Sequence, residues 1–375
     1  MLFWKKCCFV TVFLLFFGVR AEVPPPDLPV KSYLLMDAQS GQILAERAAD
    51  ERLPPASITK LMTAYVTFNA LKTGKIHLTD LVTISANARA QNGSRMFVEV
   101  NSQVSVNDLL QGMIVQSGND ASVALAEYIG GTVAGFVHMM NATAKQLGLQ
   151  KTHYQNPTGM PDEQHFSTAH DIARLAQALI RDFPEFYHFY QQKEFTWNNI
   201  KQPNRNRLLW RNQNVDGLKT GYTDAAGYCL AASEKRGDWR LIGVVLGAEK
   251  EAQRYDAAEN LLNFGFANYT QVTALRAEQV LLRGKVYKGL EAEVPIVAER
   301  TVHLLLPVTT QNAISAHVAL DTLIAPIAKG QKVGTITVTD GSKSYATVPA
   351  LAGKDIAAAG FFKRLKDSFT LWRQK

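Results

Sequence analysis

The order of apolar and polar positions changes character at about residue 269 of the chain. Before that point, apolar runs on both sides of Gln39-Ser40-Gly41 predict a hairpin over residues 32–50. Two strand-like runs, residues 227–233 and 239–248, follow a long region of helical spacing. This order predicts an α/β domain in which helices pack on an antiparallel sheet. The predicted helices cover residues 57–71, 107–116, 120–130, 136–147, 168–181 and 251–269.

Residues 270–355 have a different texture, with short, alternating runs rich in β-branched side chains. Asp340-Gly341 lies between two of these runs and predicts a two-residue hairpin turn. The sequence therefore predicts a small all-β domain that follows the α/β domain.

Residues 356–375 predict a terminal amphipathic helix. The segment is too short and too charged to span a bilayer. A narrow aromatic face with basic flanks is typical of a helix that lies in a membrane surface. The alternative is a helix that packs its aromatic face on the β domain. On a helix, an arc of about 100° holds Phe361, Phe362, Leu365, Phe369 and Trp372.

The first 21 residues have the pattern of a secretory signal. Lys5 and Lys6 precede an apolar run from Cys7 to Val19, and a small residue, Ala21, ends the segment. The alternative is a spanning helix, which needs about 20 apolar residues. Export is therefore the favoured prediction, with residues 1–21 removed.

The positive charge of the chain is concentrated at its ends. The formal net charge is +7, and removing residues 1–21 leaves 37 basic and 33 acidic side chains. Residues 360–375 hold five basic residues and one acidic residue, so the rest of the exported chain is formally neutral. This distribution argues against a nucleic-acid-binding surface. Cys229 is the one cysteine left after export, so no internal disulfide is expected, and its strand-like surroundings indicate packing.

Candidate chemistry begins with Ser57 and Lys60 in the stretch PPASITKLMTAY. Positions i and i+3 of a helix share a face, so the hydroxyl and the amine are expected side by side. A serine needs a base to become nucleophilic, and a lysine is a base only when burial or nearby positive charge keeps it neutral. The alternative is that Ser57 caps the helix and Lys60 is solvated.

Two further motifs follow in order along the chain. They are Ser117-Gly118-Asn119 and Lys219-Thr220-Gly221. Spacing alone does not single out these two motifs, because Ser85–Asn87 and Lys72–Gly74 also fit. Context favours the motifs at Ser117 and Lys219, because Ser117 lies between two helical patterns and Lys219 precedes a strand-like run. Lys72–Gly74 is expected to be a helix end, and Ser85–Asn87 a similarly structural element.

The set of S-x-x-K, S-x-N and K-T-G resembles the penicillin-recognising serine enzymes. The flanking residues and the basic aromatic tail resemble the D-alanyl-D-alanine carboxypeptidases of low molecular mass, the penicillin-binding protein 5 and 6 type of peptidase family S11. The resemblance extends over residues 22–375. It implies a catalytic domain at residues 22–269, the fold of the serine β-lactamases and transpeptidases, and a membrane-anchoring helix at residues 356–375.

The resemblance also implies an activity and a location. The enzyme would remove the terminal D-alanine from peptidoglycan pentapeptides through an acyl-enzyme on Ser57, and β-lactams would acylate the same serine. This would serve peptidoglycan remodelling and cell shape at the periplasmic face of the cytoplasmic membrane. No cofactor and no metal are expected. His165 and His170 fit no metal motif and are expected at the surface or at a helix start.

Roles for individual residues follow from the same resemblance. Lys60 would be the base, and Ser117 would relay a proton to the leaving D-alanine. Backbone N–H groups of Ser57 and Tyr222 would form the oxyanion hole. The members compared have His where this chain has Tyr222, so the contribution of that side chain stays open. The remaining substrate-binding candidates are Asn119, Lys219, Thr220, Gly221, Arg205 and Arg254.

Two other functions remain open at this point. A serine β-lactamase of class A would carry a Glu-x-x-x-Asn element between the second and third motifs, and no match to this element is expected in residues 120–218. A non-catalytic peptidoglycan-binding protein would have no need of a nucleophile beside a base. Arg205 and Arg254 could equally be surface ion-pair partners.

Overall fold

The computed structural model describes residues 23–309, 314–341 and 343–373, and the backbone of strand β1 (Cys8–Thr11). Apart from β1, the predicted export signal lies outside the described residues. The chain divides into a larger unit, Pro24–Ala267, and a smaller unit that contains Asn268–Lys375 and the N-terminal residues.

The larger unit contains most of the helices. Its strands are β2 (Ser32–Asp37), β3 (Ile43–Arg47), β4 (Leu81–Thr83), β5 (Gln103–Ser105), β6 (Glu194–Trp197), β7 (Ile200–Pro203), β8 (Val215–Thr223), β9 (Gly227–Arg236) and β10 (Trp239–Ala248). Its helices are α1 (Lys60–Lys72), α2 (Ala86–Arg89), α3 (Val106–Ile114), α4 (Asn119–Gly130), α5 (Val133–Gln146), α6 (Ala169–Asp182), α7 (His188–Gln191), α8 (Leu208–Arg211) and α9 (Glu251–Asn268).

The main sheet of the larger unit has the order β3-β2-β10-β9-β8, with antiparallel neighbours. Alternate residues of β10 face opposite sides of the sheet, as strand geometry requires. Ile242 and Val244 join the apolar core that the central helices form. Gly243 between them faces α9, because a Cβ on it would lie 3.5 Å from the side chain of Leu262. The predicted arrangement of helices on an antiparallel sheet is confirmed.

Helix α1 runs through the core of the larger unit. Most of its residues are buried, including those on the face opposite Leu61, which is typical of a helix surrounded by protein. A 3₁₀ turn, Ala56–Thr59, precedes α1, so the regular helix begins three residues later than Ser57. The helix ends before Gly74, whose φ of +69° suits a residue without a Cβ.

The smaller unit is the predicted all-β domain. Its main sheet has the order β1-β15-β17-β18-β13-β12-β16, and β11 pairs separately with β14. The elements are β11 (Tyr269–Leu275), β12 (Val280–Tyr287), β13 (Glu293–Ala298), β14 (Val302–Pro307), β15 (Ser315–Leu320), β16 (Leu323–Ile324), β17 (Lys332–Thr339), β18 (Ser344–Ala352) and α10 (Phe361–Arg373).

The turn at Asp340-Gly341 is longer than the sequence predicts. Thr339 pairs with Ser344, so residues 340–343 form a loop of four residues rather than two. The backbone N–H of Lys343 donates to Asp340 Oδ1 at 2.8 Å, which closes the loop through a side chain. The position of the turn was therefore predicted correctly from Asp340-Gly341, and its length was predicted wrongly.

Helix α10 contacts the β domain through its polar side. Asp367 Oδ2 accepts a hydrogen bond from the backbone N–H of Lys288 at 2.6 Å, and Lys363 Nζ donates to Leu290 O at 3.4 Å. At about 100° per residue, these two positions point roughly opposite to the aromatic arc. The five arc residues are between 59% and 85% exposed. A helix that packs its aromatic face on the β domain is therefore excluded.

Among the described residues, no single helix is both long and apolar enough to cross a bilayer. Helices α4 and α5 reach the necessary length and apolar character only when they are taken together, and the pair is bent by 85°.

Candidate active site

Ser57 lies in the 3₁₀ turn that precedes α1, and its neighbours hold the backbone closely. Ala56 is buried and has a φ of +47°, which is rare for a residue with a side chain. A Cβ on Gly221 would lie 3.1 Å from the backbone nitrogen of Ser57, so β8 passes directly beside this turn. The side chain of Ser57 makes no hydrogen bond that caps the helix. The capping alternative is therefore wrong.

Lys60 is buried, with 1% of its surface exposed, and three acceptors surround its amine. Nζ lies 2.9 Å from Ser57 Oγ, 2.7 Å from Asn119 Oδ1 and 2.7 Å from the carbonyl oxygen of Thr158. Asn119 Nδ2 donates to Asn92 O at 2.6 Å, which fixes the orientation of the amide. The alternative of a solvated Lys60 is wrong.

This arrangement suits a neutral lysine. A neutral amine has two N–H donors and one lone pair, whereas Asn119 Oδ1 and Thr158 O can only accept. In the neutral form, the two donors bind these two oxygens, and the lone pair is left for the hydroxyl of Ser57. Burial lowers the pKa of Lys60 to about 7, and the carboxylate of Asp120 partly opposes this shift. Lys60 can therefore take the proton of Ser57 near neutral pH.

Ser117 and Lys219 form a second hydroxyl–amine pair. Lys219 Nζ donates to Ser117 Oγ at 2.9 Å, across 102 residues of sequence. Burial, followed by the charges of Lys60, Arg254 and Arg205, lowers the pKa of Lys219 well below its ordinary value. Ser117 has a φ of +67° between α3 and α4, a backbone conformation that few serines adopt. Asn119, which binds Lys60, follows Ser117 by two residues, so the two pairs belong to one site.

The loop of residues 92–98 is held against α4 by Asp120. This buried carboxylate accepts hydrogen bonds from the backbone N–H groups of Met96, Phe97 and Val98, at 2.9–3.3 Å. The backbone N–H of Asn119 donates to Ser94 O at 2.7 Å. Asn119, predicted to bind the substrate, is thereby fixed between this loop and Lys60.

Strand β8 places the third motif at the edge of the main sheet. Thr220 is buried beside Lys219, and the side chain of Tyr222 is 48% exposed. The Tyr222 ring contacts the Tyr228 ring, with centroids 4.3 Å apart, and its hydroxyl donates to Asp224 at 2.7 Å. Tyr228 and Asp224 thus hold the exposed side chain of Tyr222 at the end of β8.

The two candidate arginines lie in different surroundings. Arg254 is buried, and it donates to Gly221 O at 3.3 Å and to Glu251 Oε1 at 3.1 Å. It is therefore not a surface residue. Arg205 is exposed, with its backbone N–H bonded to Val115 O at 3.2 Å. Arg254 thus contacts the third motif, and the backbone of Arg205 bonds to the segment that precedes Ser117.

Both decoy motifs have structural roles. Ser85 accepts a hydrogen bond from Ala88 N and caps the short helix α2, and its hydroxyl donates to Glu127 at 2.6 Å. Lys72 is the last residue of α1 and donates to Asp182 O at 2.6 Å. Their assignment to structure is confirmed.

Glu194 and Asn198 match the Glu-x-x-x-Asn spacing, so the expectation that residues 120–218 hold no match is wrong. They lie on the hairpin of β6 and β7, where the exposed Glu194 pairs with Lys201 at 2.8 Å. The match therefore has no part in the site.

Sequence reasoning missed the segment of residues 156–160. Its Thr158 carbonyl binds Lys60, and Gly159 passes so close to Ala56 that a Cβ would lie 1.8 Å from the Ala56 oxygen. Asn156 Oδ1 accepts from the backbone N–H groups of Thr158, Gly159 and Met160 at 2.8–3.1 Å. The Asn-Pro-Thr-Gly composition indicates a turn, but nothing local relates it to Ser57.

The prediction that His165 lies at the surface or at a helix start is also wrong, because His165 is buried. Its Nδ1 accepts from Gln155 N at 3.2 Å, so the neutral ring donates from Nε2 to Thr59 Oγ1 at 2.8 Å. Burial lowers the pKa of His165 to about 4, so the ring stays neutral near pH 7. His170 lies in the first turn of α6, as predicted. Cys229 is buried and packs in β9, also as predicted.

Two family matches cover almost all of the described chain. Residues 19–250 match the family described as D-alanyl-D-alanine carboxypeptidase, peptidase S11. Residues 269–358 match the family described as penicillin-binding protein 5, C-terminal domain.

Individual relatives agree with these matches. The D-alanyl-D-alanine carboxypeptidase DacC of Escherichia coli (strain K12) is 44% identical over 360 residues, which cover 94% of this chain and 90% of that protein. The crystal structure of penicillin binding protein 5 from Haemophilus influenzae matches with a TM-score of 0.82 at 43% identity, over 89% of this chain and 99% of that one. Penicillin-Binding Protein D2 from Listeria monocytogenes, in its ampicillin bound form, matches with a TM-score of 0.60 at 30% identity, over 65% of this chain and 100% of that one.

Proposed function

The chain belongs to the D-alanyl-D-alanine carboxypeptidase family S11, and from this premise we propose that it is a serine carboxypeptidase that removes the terminal D-alanine of peptidoglycan pentapeptides. The observation that carries the proposal is the buried Lys60 amine, which lies 2.9 Å from Ser57 Oγ and also binds Asn119 Oδ1 and the carbonyl oxygen of Thr158. β-Lactams are proposed to acylate the same serine, as the ampicillin-bound relative suggests.

Acylation starts with the transfer of the Ser57 proton to Lys60. The Ser57 oxygen bonds to the carbonyl carbon of the penultimate D-alanine, and the carbon–nitrogen bond to the terminal D-alanine breaks. The proton that Lys60 took from Ser57 passes to the leaving nitrogen through Ser117, whose oxygen lies 2.9 Å from Lys219 Nζ, and Lys60 is neutral again. Water then hydrolyses the ester and restores Ser57. The neutral state of Lys60 supports the first of these steps.

The negative charge of the tetrahedral intermediate needs donors at the start of α1. The backbone N–H groups of Ser57 and Tyr222 are proposed to supply them, and the close approach of Gly221 to Ser57 supports this pairing. Thr220, Arg205 and Arg254 are proposed to bind the terminal carboxylate. Their support is the positive charge that both arginines bring to the neighbourhood of Lys219.

The location of the enzyme is also a proposal. Residues 1–21 have the sequence pattern of an export signal, and α10 exposes an aromatic arc beside four basic residues. We infer that the enzyme is exported to the periplasm and bound peripherally to the cytoplasmic membrane through α10. The tail charge favours anionic lipid, because each basic residue contributes about 1 kcal/mol near such a surface.

The decisive experiment compares the wild type with Ser57→Ala. Mass spectrometry after mixing with benzylpenicillin is expected to show one adduct on the wild type and none on the variant. Diacetyl-Lys-D-Ala-D-Ala should release D-alanine with the wild type alone. Ser85→Ala is the matched control, because Ser85 fits a decoy motif and bonds Glu127 instead of a lysine.

The outcomes separate the remaining functions. Labelling that persists on Ser57→Ala would place the nucleophile elsewhere. A wild type that neither labels nor releases D-alanine would be a binding protein. Fast turnover of penicillin without release of D-alanine would indicate a β-lactamase.

A further inference from the structure

Helix α9 carries a tyrosine that links the two arginines of the site. The hydroxyl of Tyr255 donates to the backbone oxygen of Arg205 at 2.6 Å and accepts from Arg254 Nη2 at 2.7 Å. Glu251 Oε1 lies farther from the hydroxyl, at 3.5 Å. Tyr255 is 1% exposed, and its ring lies under the guanidinium groups of Arg254 and Arg211, at 4.7 and 5.3 Å. The tyrosine is therefore fixed by its ring and by its hydroxyl.

Arg205 depends on this contact for its position. Its backbone N–H bonds to Val115 O, two residues before Ser117, and its backbone oxygen bonds to Tyr255. The side chain of Arg205 is exposed, so the direction of its guanidinium group follows from a backbone that is held on both sides. The Tyr255 hydroxyl is the contact that ties this backbone to α9.

Arg254 is fixed against the third motif. It bonds Gly221 O at 3.3 Å, and Gly221 follows Thr220 on β8. The Tyr255 hydroxyl thus connects Arg254, which is bound to β8, with Arg205, whose backbone is bonded to Val115 just before Ser117. Loss of this hydroxyl would leave each arginine attached to its own segment but not to the other.

We propose that Tyr255 is a positioning residue: its hydroxyl sets the relative position of Arg205 and Arg254, and so the recognition of a free terminal carboxylate on peptide substrates and β-lactams. This role rests on the proposed function and assigns a residue that touches no substrate itself. A buried hydroxyl that bridges two segments contributes most where geometry matters, because small displacements weaken charge-assisted binding.

The test is Tyr255→Phe, measured with benzylpenicillin and with its methyl ester, which lacks the carboxylate. The ratio of their acylation rate constants is expected to fall about 10-fold, because the lost contact leaves the backbone oxygen of Arg205 without this donor. With diacetyl-Lys-D-Ala-D-Ala, KM should rise about 10-fold while kcat changes by about 2-fold at most. Tyr33→Phe is the matched control, because Tyr33 is also 1% exposed and donates to a backbone oxygen at 2.6 Å, that of Pro26.

A second variant keeps the test decisive. In an Arg205→Ala background, Tyr255→Phe should change the ratio by about 2-fold at most, because the residue it positions is gone. Equal loss with both β-lactams, or an unchanged ratio, would overturn the positioning role. A wild type that is acylated faster by benzylpenicillin than by its methyl ester but releases no D-alanine would contradict the proposed function. The role of Tyr255 would then remain intact.

Discussion

Lys60 shows at the scale of one residue how packing makes a base. Three oxygen atoms of Ser57, Asn119 and Thr158 surround its amine, and two of them can only accept hydrogen bonds. An ammonium in this place would be desolvated with one carboxylate, that of Asp120, to compensate it. The site therefore keeps the amine close to its point of deprotonation.

The pH dependence of acylation follows from this pKa. Because the pKa of Lys60 is lowered to about 7, the neutral, reactive form is lost as pH falls through 7 and dominates above it. The rate constant for benzylpenicillin acylation should rise about 10-fold between pH 6 and pH 8. His165 does not titrate in this range, because its pKa is lowered to about 4. A flat profile would contradict Lys60 as the base.

The absence of a Cβ at Gly159 allows this residue to pack against the backbone of the turn that carries Ser57. A Cβ there would lie 1.8 Å from Ala56 O, and φ is +86°. Gly159→Ala is expected to destabilise the fold by about 2–3 kcal/mol or more and to reduce penicillin labelling, because the backbone of Ala56 must move.

The control for Gly159→Ala is Gly74→Ala, measured by thermal unfolding and by labelling. Gly74 has a φ of +69° and open space where a Cβ would lie. This variant carries the backbone strain without the clash, so a loss of about 1 kcal/mol with full labelling is expected. Equal behaviour of the two variants would show that the contact with Ala56 is unimportant.

At the scale of an element, α10 is oriented by the one acidic side chain of its segment. Asp367 binds the backbone N–H of Lys288, and the aromatic arc points away from this contact. None of the residues from Phe361 to Arg373 is buried, so few contacts hold the helix. The β domain thereby presents the aromatic side outward.

Asp367→Ala should release α10 from the β domain. Tryptic cleavage at Lys363 and Lys366 is expected to accelerate about 10-fold without lipid, because a charge-assisted hydrogen bond is lost. Asp367→Asn is the matched control, because it retains an acceptor without the charge and should stay close to the wild type. If both variants are cleaved alike, charge and not the hydrogen bond orients the helix. Mass spectrometry of timed digests distinguishes the two.

At the scale of the whole molecule, residues 360–375 hold a net positive charge that the rest of residues 22–375 lacks. Deleting them should release the protein from membranes and leave penicillin labelling intact, because α10 buries none of its described residues. Sedimentation with anionic vesicles measures the first result, and binding of the full chain should weaken with salt.

A charge-preserving variant separates the aromatic arc from the basic flanks. Phe362→Ser with Trp372→Ser keeps every charge and removes two of the most exposed aromatic side chains. The double variant should bind anionic vesicles at low salt and dissociate from them at high salt. A truncated protein that still sediments with vesicles would contradict the anchor.

The sequence by itself determined what depends on local geometry. Ser57 and Lys60 are adjacent because they are three residues apart in a helical turn, and the aromatic arc of α10 follows from residue spacing alone. The three motifs, their order and the family resemblance identified the chemistry. The class of each domain followed from the spacing of apolar residues, whereas the register of the 340–343 loop did not.

The tertiary structure alone decided which distant segments meet. The carbonyl of Thr158 lies 98 residues from Lys60, and Lys219 lies 102 residues from Ser117. It also separated Glu194 from the site although its spacing fits, and it buried His165. The physical reason is that local spacing fixes direction along one helix or strand, while the pKa of Lys60 depends on what the folded chain brings around it.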